Sequence, residues 1–242
     1  MSRYWNDNSF YSQPSASVIK KNAGETRKKE KAKGKLLEPV SVTGRNIVNK
    51  WWGKAWCDNL EQYADYESRL ERGKRYVRAG AVVDLKIQKG KILARVQGNR
   101  KVPYKIEIRI SPLPEEHCQN IISQCGNRID NLVSLLEGNF PEELKDLFLG
   151  RDGLFPTPRE ISFDCSCPDW ALLCKHVAAA LYGVGARLDK EPALFFQLRG
   201  IEVERFIDVT LANKVEAMLA NVNRPSDRII AEDSAIERFG VL

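Results

Sequence analysis

Three cysteines and a histidine fall within twelve residues, as the pairs Cys165-Ser166-Cys167 and Cys174-Lys175-His176 joined by the loop 168–173. Three thiolates and one imidazole form a donor set that zinc takes in closed, tetrahedral, structural sites. Each pair encloses one residue. Pro168 restricts the bend that must bring both sulfurs of the first pair to one ion. The second pair stands where an apolar, Ala-rich helix begins. A dication against three thiolates leaves the centre one charge negative. Lys175 and the free N–H groups of the helix's first turn offset that charge. The bound metal keeps the thiols deprotonated at neutral pH. With four protein donors the shell has no place for a water or a substrate, so the expected role is structural and not catalytic. Two rival readings explain less. Unrelated core residues would rarely pair at matching spacing, and a strained Cys-x-Cys disulfide leaves Cys174 and His176 without a purpose.

Other residues that could do chemistry form no constellation. His117 adjoins Cys118, and Cys125 follows seven residues later. A catalytic dyad would need a third, orienting group, and none is indicated. No acid/base carboxylate pattern and no G-x4-G-K-[ST] phosphate loop occurs, so no enzyme activity and no small-molecule substrate is expected. Half of the six cysteines fall within ten residues of a 242-residue chain, which suits reduced thiols and a metal better than a disulfide framework. The polar start Met1–Tyr11 has no apolar core of a signal sequence, and no apolar run approaches the ~20 residues of a membrane span. A cytoplasmic protein without membrane contact is expected.

The formal charge of +6 is unevenly placed. Residues 1–45 hold ten Lys and Arg against four acids, and the rest of the chain balances 28 against 28. Lys28, Lys29 and Lys31 lie in the densest stretch. Such an arm attracts polyanions. A second basic run, Arg72, Lys74, Arg75 and Arg78 with Tyr76 inside it, mixes charge with an aromatic as strand-binding surfaces do. Arg95, Arg100, Lys101 and Lys105 could add to it, although Asp84 and Glu107 interleave.

The elements that must position these residues follow from periodicity. Residues 1–40 read as a disordered basic arm, since Arg27–Lys35 has no apolar face. Trp52, Trp56, Leu60 and Tyr63 recur at helical spacing, which predicts a helix over about 51–65 whose tryptophans enter a core. Arg69–Arg78 reads as a loop interrupted by Gly73. Alternation over Ala81–Gln88, Ile92–Val96 and Tyr104–Ile110 predicts a three-stranded antiparallel meander with one polar face. Helices are expected over 113–125, 128–136 and 140–149, the last with Pro141 and two acids in its first turn. A short strand over 160–165 leads into the cysteines, and His176–Arg187 is the following helix. Two more helices are expected over 192–198 and 209–221. The fold class is α+β. The implied division is 1–40 arm, 41–150 α+β domain, 151–190 zinc segment, 191–222 C-terminal helices and 223–242 polar tail.

The ligand spacing, Cys165-x-Cys167-x6-Cys174-x-His176, resembles the C-x-C-x(n)-C-x-H pattern of the SWIM zinc finger. Its flanks are similar as well: Ile161-Ser162-Phe163-Asp164, Pro168-Asp169-Trp170 and Val177–Leu181. Upstream, Trp51–Trp56, Arg72–Tyr76, Arg95–Gly98 and Pro103-Tyr104 resemble the N-terminal part of prokaryotic SWIM zinc finger proteins. The likeness runs from about Val48 to Ala186. It implies a ββα zinc module, with Cys165, Cys167, Cys174 and His176 as ligands, that binds DNA or proteins in association with Snf-family ATPases. Without a phosphate loop the chain would be an accessory to such a motor. The expected function is therefore an adaptor that binds nucleic acid, DNA foremost, and a Snf-family ATPase or an RNA polymerase-associated protein. The alternative is a protein–protein scaffold in which zinc only holds the fold.

Overall fold

The computed structural model describes residues 14–126, 145–150 and 153–221. The three alternating stretches form strands β1 (Val82–Gln88), β2 (Lys91–Val96) and β3 (Tyr104–Ile110). Gly90, at φ 65°, supplies the tight turn between the first two. A fourth strand, β4 (Ile161–Cys165), returns to pair with β3, giving an antiparallel sheet in the order β1-β2-β3-β4. The expected meander thus gains an edge strand, and that strand carries the first cysteine. The zinc segment shares its sheet with the upstream part of the chain.

Register decides where Cys165 points. Leu85 lies opposite Ala94, Ala94 opposite Ile106, and Ile106 opposite Cys165. Successive strand residues face opposite sides, so Cys165 belongs to the same face as this apolar row. Ile92, Ile108 and Ile110 complete that buried face, while Lys105 and Arg109 are exposed on the other.

Helix α6 (Lys175–Leu188) lies against the buried face and is itself buried from His176 to Ala186. (Helices are numbered in chain order.) Its small residues let two upstream helices close over it. In α2 (Trp51–Glu61), the indole N–H groups of Trp52 and Trp56 donate to the carbonyls of Leu188 (2.9 Å) and Leu181 (3.1 Å). The tryptophan stripe is core, as its spacing suggested. The expected loop at Arg69–Arg78 is instead the body of α3 (Glu67–Arg78), because Leu70, Gly73, Tyr76 and Val77 form a buried helical stripe. Gly73 is not a break. A Cβ there would stand 2.5 Å from that of Ala178, so the glycine lets α3 cross α6 closely.

The arm also differs from expectation. Residues Ala16–Ala32 form α1, capped by the Ser15 hydroxyl, which accepts from the Val18 amide. Ile19, Ala23, Thr26 and Glu30 recur on one side and are buried. Two of the four are polar, so hydropathy gave no stripe. Thr26 donates to Gln97 Oε1 at 2.8 Å, and Glu30 accepts from Arg95 at 2.9 Å. Beyond the helix, the Val40 amide donates to Val82 and the Leu85 amide to Glu38, which covers part of the β1 edge.

Helices α4 (Glu115–Gly126), α5 (Lys145–Leu149), α7 (Leu194–Leu198) and α8 (Val203–Asn221) complete the described fold. Buried Arg199 ties α7 to the sheet, donating to the Ser111 carbonyl at 2.8 Å and to Glu160 at 2.6 Å. The helix expected over 128–136, the start of the one over 140–149, and the tail 223–242 lie outside the described residues. None of the described helices is long and apolar enough to cross a membrane.

Candidate metal centre

The four ligand candidates come from three elements that the fold forces together. Cys165 ends β4, Cys167 lies just beyond it, Cys174 is the N-cap of α6, and His176 stands in that helix's first turn. One ligand atom from each lies within 4.8 Å of every other. Among the described residues this is the one cluster of Cys, His and carboxylate groups so arranged. The ring of His176 presents Nδ1 to Cys165 Sγ at 4.0 Å. Its Nε2 turns away, buried, with no hydrogen-bond partner among the described residues.

The donor chemistry fits one zinc ion. Burial pushes the pKa of His176 down, which favours the neutral imidazole a metal needs. Cys174 is held well below the usual thiol range, first by a hydrogen bond from Cys165 and also by His176. Its place at the helix N-terminus favours the thiolate further. Cys165 is pushed far up by donating to Cys174 and by burial, and Cys167 is raised by burial. Without a cation the pocket thus accommodates one negative charge and resists three. A dication would remove that conflict, and three thiolates with one imidazole supply the four donors of a closed structural zinc site. Cys165, Cys167, Cys174 and His176 would hold it.

The surroundings fix the ligands. Tyr104 stacks on His176 with ring centres 4.0 Å apart, and Tyr76 meets the same ring edge-on at 5.6 Å. Gly98 permits the stack: a Cβ there would lie 2.8 Å from the Tyr104 ring and 3.4 Å from His176 Nε2. The loop between the cysteine pairs is pinned to the α2–α3 turn. Asp65 accepts from the amides of Leu172 (3.0 Å) and Leu173 (3.5 Å), and Arg69 pairs with Asp169 at 3.1 Å. Tyr66 meets Trp170 edge to face at 5.7 Å.

A groove of about 620 Å³ opens beside the cluster. Arg69, Arg72 and Arg75 of α3 line one side, with Arg100 from the β2–β3 connection and Lys175 from the start of α6. Tyr76, Tyr104 and Trp170 supply its aromatic walls. Among the described residues Arg72, Arg100 and Lys175 form no ion pair, whereas Arg69 has Asp169.

The basic residues singled out from sequence are thereby sorted. Arg72 and Arg75 line the groove. Tyr76 is 2% exposed and packs against His176, so it offers no free face for stacking. Lys74 is spent inside the fold, 3.1 Å from Glu61, 3.3 Å from Glu71 and over the Tyr182 ring. Arg78 is exposed at the end of α3, outside the groove. Lys28, Lys29 and Lys31 are exposed along α1. Arg95 holds Glu30, whereas Lys101 and Lys105 are exposed. Arg69, Arg72 and Arg75 recur every third residue along α3 and belong to one basic run in the sequence, whereas Arg100, Trp170 and Lys175 converge with them only in space.

The remaining described thiols are ordinary core groups. Burial pushes Cys57 up to about 12, and Cys118 donates to the Leu113 carbonyl at 3.7 Å. Neither they nor His117 belong to a metal-type cluster.

Residues 164–184 match the family model of the SWIM zinc finger. Over 160 residues the chain is 37% identical to the uncharacterized protein Rv2102 of Mycobacterium tuberculosis, an alignment that covers 65% of this chain and 57% of that protein. The match thus spans little more than half of the relative's length. No solved structure matches the chain. The ligand cluster and the matched residues agree, so the chain carries a SWIM zinc finger with a Cys3His site for one zinc ion.

Proposed function

We propose that this chain is a zinc-organised adaptor that binds nucleic acid, and that it catalyses no reaction. The observation that carries the reading is the groove, in which five cationic side chains from three parts of the fold meet aromatic rings beside the metal ligands. Phosphates bind such convergent guanidinium and ammonium groups, and a base has the exposed ring of Trp170 to rest on. The metal's part is indirect. It fixes the ligand loop and the first turn of α6, and so sets the positions of Trp170 and Lys175. A shell of four protein donors leaves the zinc itself with no reaction to perform. Binding measured at several salt concentrations tests this. Affinity should fall linearly with salt on logarithmic axes, since each neutralised phosphate releases counterions. Failure to bind DNA or RNA at low salt would remove the reading.

A second reading, a protein scaffold whose zinc only holds the fold, has one observation in its favour. Helix α8 leaves Leu211, Val215, Met218 and Leu219 more than half exposed. A Snf-family ATPase or an RNA polymerase-associated protein is the partner that the adaptor reading would place there. Native co-purification with and without residues 203–221 tests it, and a partner retained in both cases would exclude α8 as its site.

A further inference from the structure

The shape of the groove and one bare indole narrow the ligand from nucleic acid in general to an unpaired strand. Trp170 is 79% exposed. A single exposed aromatic carries no argument by itself. This one is held in place. Tyr66 meets it edge to face, the preceding Asp169 is paired with Arg69, and the amides of Leu172 and Leu173 are bonded to Asp65. A flat apolar ring is thus presented to solvent with little freedom left to lose on binding, which is what makes stacking effective.

Its neighbours supply the other half of a strand-binding site. Arg72, Arg100 and Lys175 share the groove, and Arg100 lies 5.3 Å from the Tyr104 ring centre. A duplex hides its base faces and is read by protruding elements, a helix or a β-ribbon entering its major groove. This site has the opposite shape, a recess of about 620 Å³ between α3, the β2–β3 connection and the ligand loop. That is the size of a small-molecule pocket, suited to individual nucleotide units. Stacking also requires a base whose face is free.

We infer that the groove binds single-stranded nucleic acid, with one base stacked on Trp170 and the adjoining phosphates against Arg72, Arg100 and Lys175. The inference rests on the nucleic-acid reading above and goes further by excluding the duplex. Stacking does not distinguish the sugar, so single-stranded DNA and RNA share this chemistry.

The test uses the full chain with zinc bound and three fluorescein-labelled probes of about 12 nucleotides, a length within the usual site size. They are oligo(dT), oligo(U) and a mixed-sequence duplex, each titrated by anisotropy at low salt. A single strand should bind at least tenfold more tightly than the duplex. Trp170→Ala should weaken single-strand binding about tenfold, as loss of one stacked base does, and leave duplex binding unchanged. Trp170→Phe should restore most of the loss. Circular dichroism of both variants should match the parent, because the side chain is exposed. The two single strands then show whether the sugar matters. Equal or tighter duplex binding, or a Trp170→Ala protein with undiminished single-strand affinity, overturns the inference while leaving nucleic-acid binding intact. No binding to any probe overturns both.

Discussion

Helix α1 and the groove beside the metal both carry an excess of positive charge, but they are built in opposite ways. In α1 the charge is contiguous in sequence, and Lys20, Lys21, Lys28, Lys29 and Lys31 are spread along an exposed surface. The helix docks through the few residues that are not lysine: Ile19 and Ala23 by burial, Thr26 through Gln97, and Glu30 through Arg95. In the groove the charge is scattered through the sequence over more than a hundred positions, from Arg69 to Lys175, and folding concentrates it in one recess. Dispersed charge on a helix attracts polyanions weakly and without geometry, whereas convergent charge in a recess positions them. The comparison teaches that the region most conspicuous in composition need not be the one with a shaped site.

The largest effect expected to separate the two regions is metal removal. Purified protein should contain about one zinc per chain, as a filled Cys3His site requires. Chelation, or Cys174→Ser, should lower the melting temperature and abolish groove binding, because the binding free energy of a structural zinc is folding free energy. The α1 docking contacts of Thr26 and Glu30 engage Gln97 and Arg95 and no ligand, so they should depend on zinc less, even though Gln97 adjoins Gly98 beside His176. Unchanged melting and binding after verified zinc removal would break the comparison.

Two glycines give the next effect. Gly73→Ala in α3 places a methyl 2.5 Å from Ala178 Cβ and should cost about 1–3 kcal/mol in denaturant unfolding. Gly24→Ala in α1 meets nothing within 4 Å and should stabilise by roughly 0.5–1 kcal/mol through helix propensity. Equal effects would mean that the two helices are packed alike.

Charge reversal compares the two basic regions directly. Arg72→Glu with Arg100→Glu should lower nucleic-acid affinity at least tenfold at low salt and flatten its salt dependence. Reversal of Lys28, Lys29 and Lys31 together should cost less, despite changing more charges. The opposite ranking, measured by anisotropy, would move the binding site to the arm.

The smallest effects concern α1 docking. Thr26→Val should cost about 1 kcal/mol by leaving the buried Gln97 oxygen without its donor. Glu30 is held below the usual carboxylate range, first by its hydrogen bond from Arg95 and then by Lys35. Its contribution is therefore fully present above about pH 4.3, the ordinary glutamate value, and is lost as pH falls through the folded value. Amide exchange in α1 should quicken over that acid range, and Glu30→Gln should remove the pH dependence.

The ligand set was legible in the sequence because all four ligands lie within twelve residues and their identities fix the chemistry. The strands were legible because alternation over Ala81–Gln88 or Tyr104–Ile110 has one structural meaning. The tryptophans of α2 could be assigned to the core from their spacing. Helix α1 could not be read, since half of its buried positions are polar and satisfied by Gln97 and Arg95, partners some seventy positions away. Helix α3 was hidden by Gly73, whose reason is a helix on the far side of the metal loop. The sequence by itself determined the metal chemistry, the strand pattern and the charge excess, because local spacing and side-chain type suffice for each. Tertiary structure alone decided which charges converge. It set Arg72, Arg100, Trp170 and Lys175 around one recess through the β3–β4 pairing and the α3–α6 crossing. Both depend on long-range register and close backbone approach, and no local pattern records either.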